Sequence, residues 1–417
     1  MAKSLTFEQV LSAGLQHSFD RYIVQEEIGA AQAGVSEKEA ENYPQLAVRF
    51  GNEYVHVFEE DSDIVSVGDA IIANSASGYK HSLIATAKYT LYDFGIRELN
   101  ITHARRNVRI AELREQKARM ETRETLLELY TEGLKIQQRI KTLEEIYTAR
   151  QNIFRMAERL HMAGSFRRDT LGDHALEMAT AFSRLEDQRT AFQNLLERIS
   201  FHTRQPYQAD TTVLENFSRP EIPDASADVM DFTGHPDMEI YDQKIVNKKA
   251  ELSMAKRARY PKLNLYGSWR QFGSDEQSYL DSLSTLEPRD TSLTLYVECP
   301  LFDGFANKAK RRKIHHEIAG LRYQREKKKA ELEQDFSTAL NTYRQSVALE
   351  KERHAQQIRI TDQQHYGDRI AGQGLTDRIT AQSRTIELNR QALELELKRI
   401  DNVSSALRLN LIKEAGS

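Results

Sequence analysis

One cysteine, Cys299, stands among 417 residues, which excludes an intrachain disulfide and any cysteine-built metal cluster. None lies near the N-terminus to carry a lipid anchor. No apolar run approaches the roughly 18 residues a transmembrane helix needs. Charge of one sign is missing too: 58 Lys and Arg against 62 Asp and Glu leave a formal net charge of −4, so no strong field points to nucleic acid or an anionic surface. Proline is scarce. It occurs at Pro44, Pro206, Pro220, Pro223, Pro236, Pro261, Pro288 and Pro300, leaving 45–205 and 301–417 free of it. Because proline inside a helix costs about 3 kcal/mol, those two stretches are where long helices form.

What is present is charge in balance, at 29% of residues, with a mean hydropathy of −0.62. Ala, Glu, Lys, Leu, Arg and Gln dominate long stretches, as in extended or coiled helices rather than the two or three globular domains this length ordinarily gives. Met1-Ala2-Lys3-Ser4 leads into an amphipathic helix with no charged-then-apolar leader. Either the chain is cytoplasmic or its numbering begins after a removed signal, and the strands described below favour the second.

The two halves repeat each other. Tyr43-Pro44-Gln45-Leu46 matches Tyr260-Pro261-Lys262-Leu263, each ending a helix and opening an alternating segment. Leu91-Tyr92-Asp93-Phe94-Gly95 matches Leu301-Phe302-Asp303-Gly304-Phe305, each opening a long helix, and Gly164 matches Gly372. The pattern implies a duplicated unit of helix, strand, strand, long helix, turn and helix. Its boundaries are a first repeat over 1–200, a linker region over 201–236 that packs outside the rods near their middle, and a second repeat over 237–417. Long helices are expected over 96–163 and 307–371, each reaching on the order of 100 Å. Shorter rods are expected over 6–41, 168–200, 237–259 and 376–413. Leu113, Met120, Leu127 and Leu134 recur every seven residues, as do Ile140, Tyr147 and Phe154 on a shifted stripe, so the first long helix seams against more than one neighbour. An ordinary coiled-coil scaffold would show the same heptads.

Four segments alternate with period two. Leu46, Val48, Phe50 and Tyr54 share a face, as do Leu83, Ala85, Ala87, Tyr89 and Leu91; Leu263, Leu265 and Trp269; and Leu293, Leu295, Val297, Cys299 and Leu301. Each segment has about the length of a transmembrane β-strand, about 9–11 residues. Aromatic residues sit in or beside these strands, where bilayer interfaces favour them: Tyr54, Tyr79, Tyr89, Tyr92, Trp269 and Tyr296. No segment is left over to cover the apolar faces, and a four-stranded sheet with open edges cannot sit in lipid, so closure by oligomerisation is required. Polar, acidic loops are expected over 60–78 and 274–290.

No nucleophile motif or phosphate-cradling loop occurs, and His315 and His316 diverge by about 100° on a helix, so no catalytic residue, cofactor or metal is expected. The run Lys308, Lys310, Arg311, Arg312 and Lys313 lies just past a strand exit, which suits a barrel base, lipid headgroups or solvent better than nucleic acid.

The duplicated unit, the Tyr-Pro-x-Leu strand openings, the strand-to-helix exits and the glycine turns together resemble the TolC-type outer-membrane factor family. The resemblance covers nearly the whole chain. It implies an α+β membrane protein in which a long α-helical barrel joins a transmembrane β-barrel, closed by trimerisation with four strands per protomer and twelve in total. It further implies a passive exit duct for efflux or type I secretion, not an enzyme, lying in the outer membrane with a periplasmic extension. Expected partners are two further copies, a periplasmic adaptor protein, an inner-membrane transporter and outer-membrane lipid, with no nucleic acid. Adaptor docking falls to the tips Ala163, Gly164 and Ser165, and Ala371, Gly372, Gln373 and Gly374. The gate falls to Asp169, Asp173 and Asp377 with Arg167, Arg168, Arg369 and Arg378, converging on a threefold axis. The second tip runs one residue short of the family outline, and Arg378 stands where an apolar or acidic residue is more usual. Charges at a helix N-terminus, where Asp is favoured anyway, are the plainer account of the same residues.

Overall fold

Without proline to interrupt them, the two stretches fold as two very long helices, and the alternating segments fold as strands. The computed structural model describes residues 3–56, 65–67, 70–72, 77–218, 230–370 and 375–416. In chain order these form β1 (Lys3–Leu5), α1 (Phe7–His17), α2 (Phe19–Ala40), β2 (Gln45–Val55), β3 (Val65–Val67), β4 (Ala70–Ile72), β5 (Gly78–Tyr92), α3 (Ile96–Met162), α4 (Arg168–Thr203), β6 (Thr212–Leu214), α5 (Pro236–Arg257), β7 (Lys262–Asp275), α6 (Tyr279–Ser284), β8 (Glu287–Glu298), α7 (Ala306–Ile370) and α8 (Leu375–Gly416).

The strand exits start the long helices by one device used twice. The Asp93 carboxylate accepts from the backbone N–H of Gly95 at 3.0 Å and of Arg97 at 2.9 Å, and Asp303 accepts from that of Asn307 at 2.9 Å. Both aspartates thereby satisfy donors that a helix start leaves orphaned. Two consecutive left-handed residues follow each aspartate, Phe94 and Gly95 in one case and Gly304 and Phe305 in the other. The repeat thus holds at the level of backbone conformation, with Phe and Gly exchanged.

Two compact units emerge, each drawing residues from both repeats. One comprises Met1–Ile28, Ile110–Asp242 and Arg322–Ser417; the other Gly29–Arg109 and Gln243–Leu321. In the first, α1, α3 and α4 enclose Val10, Leu126, Leu129, Tyr130, Leu195, Leu196 and Ile199. The linker packs onto this core through Tyr207, Leu214 and Phe217, and β6 pairs in parallel with β1. Gln137 clamps β6 from α3, its Nε2 donating to the Leu214 carbonyl at 2.9 Å and its Oε1 accepting from the Leu214 N–H at 2.8 Å. The Tyr130 hydroxyl lies 2.8 Å from the Leu5 carbonyl and 2.6 Å from that of Glu215, and burial raises its pKa. A buried phenol keeps its proton and stays a donor.

In the second unit the helices stand in the order α2, α3, α5, α7. Arg105 on α3 donates to Glu39 at 2.8 Å, Asn247 on α5 to Asn107 at 2.9 Å, and Lys248 on α5 pairs with Glu317 on α7 at 3.1 Å. The strands follow the same succession, β2-β5-β7-β8, all antiparallel.

Three expectations need correction. The rod over 6–41 is broken at Ser18, whose extended backbone ends α1 and whose hydroxyl accepts from Arg21 N–H to start α2. A bulge between Thr90 and Tyr92 makes Leu91 the inserted residue, so it does not continue the face of Leu83, Ala85, Ala87 and Tyr89, and Tyr92 pairs with Leu263. Finally, 274–290 is no open loop: β7 runs into it, α6 occupies its middle and β8 begins within it. Parts of 60–78 lie outside the described residues.

Candidate functional site

The sheet register merges the four apolar faces into one. Leu46 pairs with Ala87, Ala87 with Gly267 and Gly267 with Leu293; Val48, Ala85 and Trp269 form the next row; Tyr89, Leu265 and Leu295 another. Successive strand residues alternate between faces, so these rows lie on one side of the sheet. Among the described residues it is covered only at one end, by α6, and elsewhere stands open: Leu46 is 78% exposed, Leu293 75% and Leu295 60%. The other side is polar and linked across strands. Ser268 and Ser292 hydroxyls lie 2.8 Å apart, Arg270 Nε donates to Asp290 at 2.8 Å, and Thr90 donates to Asn264 at 2.9 Å. Among the described residues, β2 and β8 each have a partner strand on one side only.

At the sheet end far from the long helices, α6 folds back over the apolar side. His81 donates through Nε2 to the Tyr279 carbonyl at 3.1 Å, Ser282 donates to the Tyr79 carbonyl at 2.9 Å, and Asn52 to the Tyr279 hydroxyl at 3.1 Å. Gly273 is required there, since a Cβ would meet the Ser282 carbonyl oxygen. Tyr54, Tyr79, Tyr279, His81 and Phe50 stack into an aromatic rim. Sequence patterning identified Tyr54 and Tyr79 but not α6, whose six residues are too few to show a period.

At the turn between α3 and α4, Gly164 adopts φ +75 and its N–H donates to the His161 carbonyl at 2.9 Å, while Ser165 N–H donates to that of Leu160 at 2.8 Å. This is a Schellman closure, for which a left-handed residue is needed and glycine is the cheapest choice. His161 Nδ1 donates to the Phe166 carbonyl at 2.8 Å and locks the turn, a contact no motif announces. Ala163, Gly164 and Ser165 are exposed at this tip. Arg167 pairs with Asp169 at 3.3 Å, and both side chains are largely in solvent, as are those of Arg168 and Asp173.

The start of α8 is brought to the same hairpin. Ile379 and Ile386 bury against Ile146, Ile153 and Ala181, with Leu160 and Phe166 packed alongside. Arg378, next to Ile379, is exposed. Ala371, Gly372, Gln373 and Gly374 lie outside the described residues, and for Arg369 and Asp377 only the helical backbone is described. The α3–α4 hairpin also carries a cluster that patterning missed: Glu177 pairs with both Arg150 and His174. Among the described residues no helix is long and apolar enough to cross a membrane, and no group of His, Cys, Asp or Glu is arranged to hold a metal ion.

Residues 12–200 match the family model described as outer membrane efflux protein. In fold the chain is similar to the Campylobacter jejuni CmeC outer membrane channel, at TM-score 0.77 and 13% identity over 98% of this chain and 85% of that one. It is similar also to the open state of the Neisseria gonorrhoeae MtrE outer membrane channel, at 0.69 and 15% over 99% and 89%, and to the Vibrio cholerae outer membrane protein VceC, at 0.68 and 13% over 98% and 96%. No curated protein matches in sequence. The family match and the shared fold agree with the TolC-type resemblance read from the repeat.

Proposed function

We propose that this chain, whose first repeat carries the sequence signature of the outer membrane efflux protein family, is the outer-membrane exit duct of a tripartite efflux or type I secretion system. The observation that carries the reading is the uncovered apolar side of a sheet with both edges open. In water such a surface would drive aggregation, and in lipid its edge N–H and C=O groups would go unpaired. Both problems vanish when β8 of one copy pairs with β2 of the next. Four strands are too few for a closed barrel, for which about eight are needed, whereas three copies supply twelve. The helices continue the barrel as a periplasmic cylinder, through which cargo passes without chemical change.

The Gly164 turn and its counterpart at Ala371–Gly374 receive a periplasmic adaptor, which links the duct to an inner-membrane transporter. Asp169, Asp173 and Asp377 meet their symmetry copies near the threefold axis, with Arg167, Arg168, Arg369 and Arg378 close by. Like charges around a narrow axis repel, so the closed state depends on acid–base pairing between neighbours or on a bound cation. The Arg167–Asp169 pair within one copy, at 3.3 Å, supports the reading that these groups can pair. Purified in mild detergent, the protein is expected to have the native mass of three chains and to conduct ions after insertion into a planar bilayer. A monodisperse soluble dimer without detergent would instead support a coiled-coil scaffold.

A further inference from the structure

The twin strand exits give an exact frame for comparing the repeats, because Asp93 and Asp303 each accept from the backbone N–H four residues on. In that frame Glu98-Leu99-Asn100-Ile101-Thr102-His103 stands opposite Lys308-Ala309-Lys310-Arg311-Arg312-Lys313. One repeat has an acid where the other begins a run of cations.

At the base of the first repeat Arg97, His103 and Arg105 are consumed within the fold. Arg97 is held by Asp93 at 3.4 Å and donates to the Glu41 carbonyl at 3.1 Å, Arg105 pairs with Glu39, and His103 approaches Glu251 at 3.4 Å. The corresponding cations of the second repeat are not. Lys308, Lys310 and Arg312 are exposed with no carboxylate partner among the described residues, and Lys313 comes no nearer than 3.9 Å to Glu317. Even Arg311, whose Nε is buried, finds no acceptor for it. Asn307 donates to the Ala255 carbonyl at 2.7 Å, which sets the end of α5 beside this run and adds the exposed Lys256 and Arg259. Placed in the first turns of a helix, cations also oppose the macrodipole, so the arrangement favours an anion from outside the chain.

Position identifies the anion. Leu301, Phe302 and Phe305 are uncovered and directly precede α7, ending the apolar belt. From Phe305 the run lies about 5 to 12 Å further along the helix, a depth comparable to the headgroup layer that flanks the hydrocarbon core. We propose that the base of the second repeat binds the phosphodiester of an anionic phospholipid in the leaflet facing the helices, the first repeat lacking the equivalent site. This rests on the membrane reading above.

The test uses the detergent-purified trimer and native mass spectrometry with equimolar phosphatidylglycerol and phosphatidylethanolamine, alongside inorganic phosphate as a competitor. The wild-type protein should retain phosphatidylglycerol preferentially. The K308Q/K310Q/R312Q/K313Q variant should lose that preference by roughly tenfold or more while keeping the trimer mass, and K308R/K310R/K313R should keep it. Competition by millimolar phosphate would reassign the site to free phosphate. Equal retention of both lipids by the wild-type trimer would overturn the proposal while leaving the duct intact. So would collapse of the quadruple variant's trimer without change in lipid preference, which would place a carboxylate of another copy against these cations. A wild-type protein that forms no trimer would overturn the membrane reading itself.

Discussion

Leu113 and Leu293 are the same residue in the same chain, yet the first is 1% exposed in the helical core and the second 75% exposed on the sheet. Helix seams bury their apolar stripe against other helices of the same copy, whereas the strands present theirs outward. The difference teaches that periodicity reveals which side of an element is apolar and not what covers it. Coverage is a property of the surroundings, helix on helix in one case and, on the proposed reading, lipid in the other.

The contrast can be broken from either side. On the helical side, Leu196 is fully buried among Val10, Leu126 and Ile199, so Leu196→Ala should cost about 2–5 kcal/mol and lower the thermal midpoint of the helical signal. On the sheet side, Leu295→Arg should cost about 2–4 kcal/mol per copy if that face meets hydrocarbon, and the membrane-inserted fraction should fall accordingly. Thr294→Arg, one residue along on the polar face, should leave insertion unchanged. Equal loss from both arginines would erase the distinction between the faces.

Smaller effects sharpen the picture at the turn between α3 and α4. Gly164→Val forces a β-branched residue into left-handed backbone, at about 1–2 kcal/mol, with open space around it. Export should fail while trimer mass and insertion persist, and normal export would remove the docking role. The smallest stability change belongs to the proposed gate, since exposed ion pairs contribute under about 1 kcal/mol. Asp169→Ala with Asp377→Ala should raise single-channel conductance, and Arg378→Glu should raise it further by adding repulsion. Conductance unchanged in all of them would put the constriction elsewhere.

Much of this was legible because proline, glycine and aspartate act locally. The ends of α3 and α4, the twin exits at Asp93 and Asp303 and the turn at Gly164 all follow from residues that restrict or cap their own backbone. The break at Ser18 was hidden because serine is tolerated inside helices and only its neighbours decide otherwise. The bulge before Tyr92 was hidden because alternation alone cannot count an inserted residue. Pairing of β1 with β6 joins segments some two hundred residues apart through short runs that carry no signal of their own. At the candidate gate, the charges could be named from sequence, while the packing of Ile379 against Ile146 and Ile153 that brings α8 to the hairpin could not.

The sequence alone determined the long helices, the duplicated plan and the apolar side of each strand, since these depend on spacing along the chain and on residues acting on their own backbone. Only the tertiary structure decided that four separate apolar stripes align into one face, that among the described residues Lys308, Lys310 and Arg312 lack carboxylate partners while Arg97, His103 and Arg105 have them, and that α6 rims the sheet. Each of these depends on register and on contacts between distant segments, which no local pattern encodes.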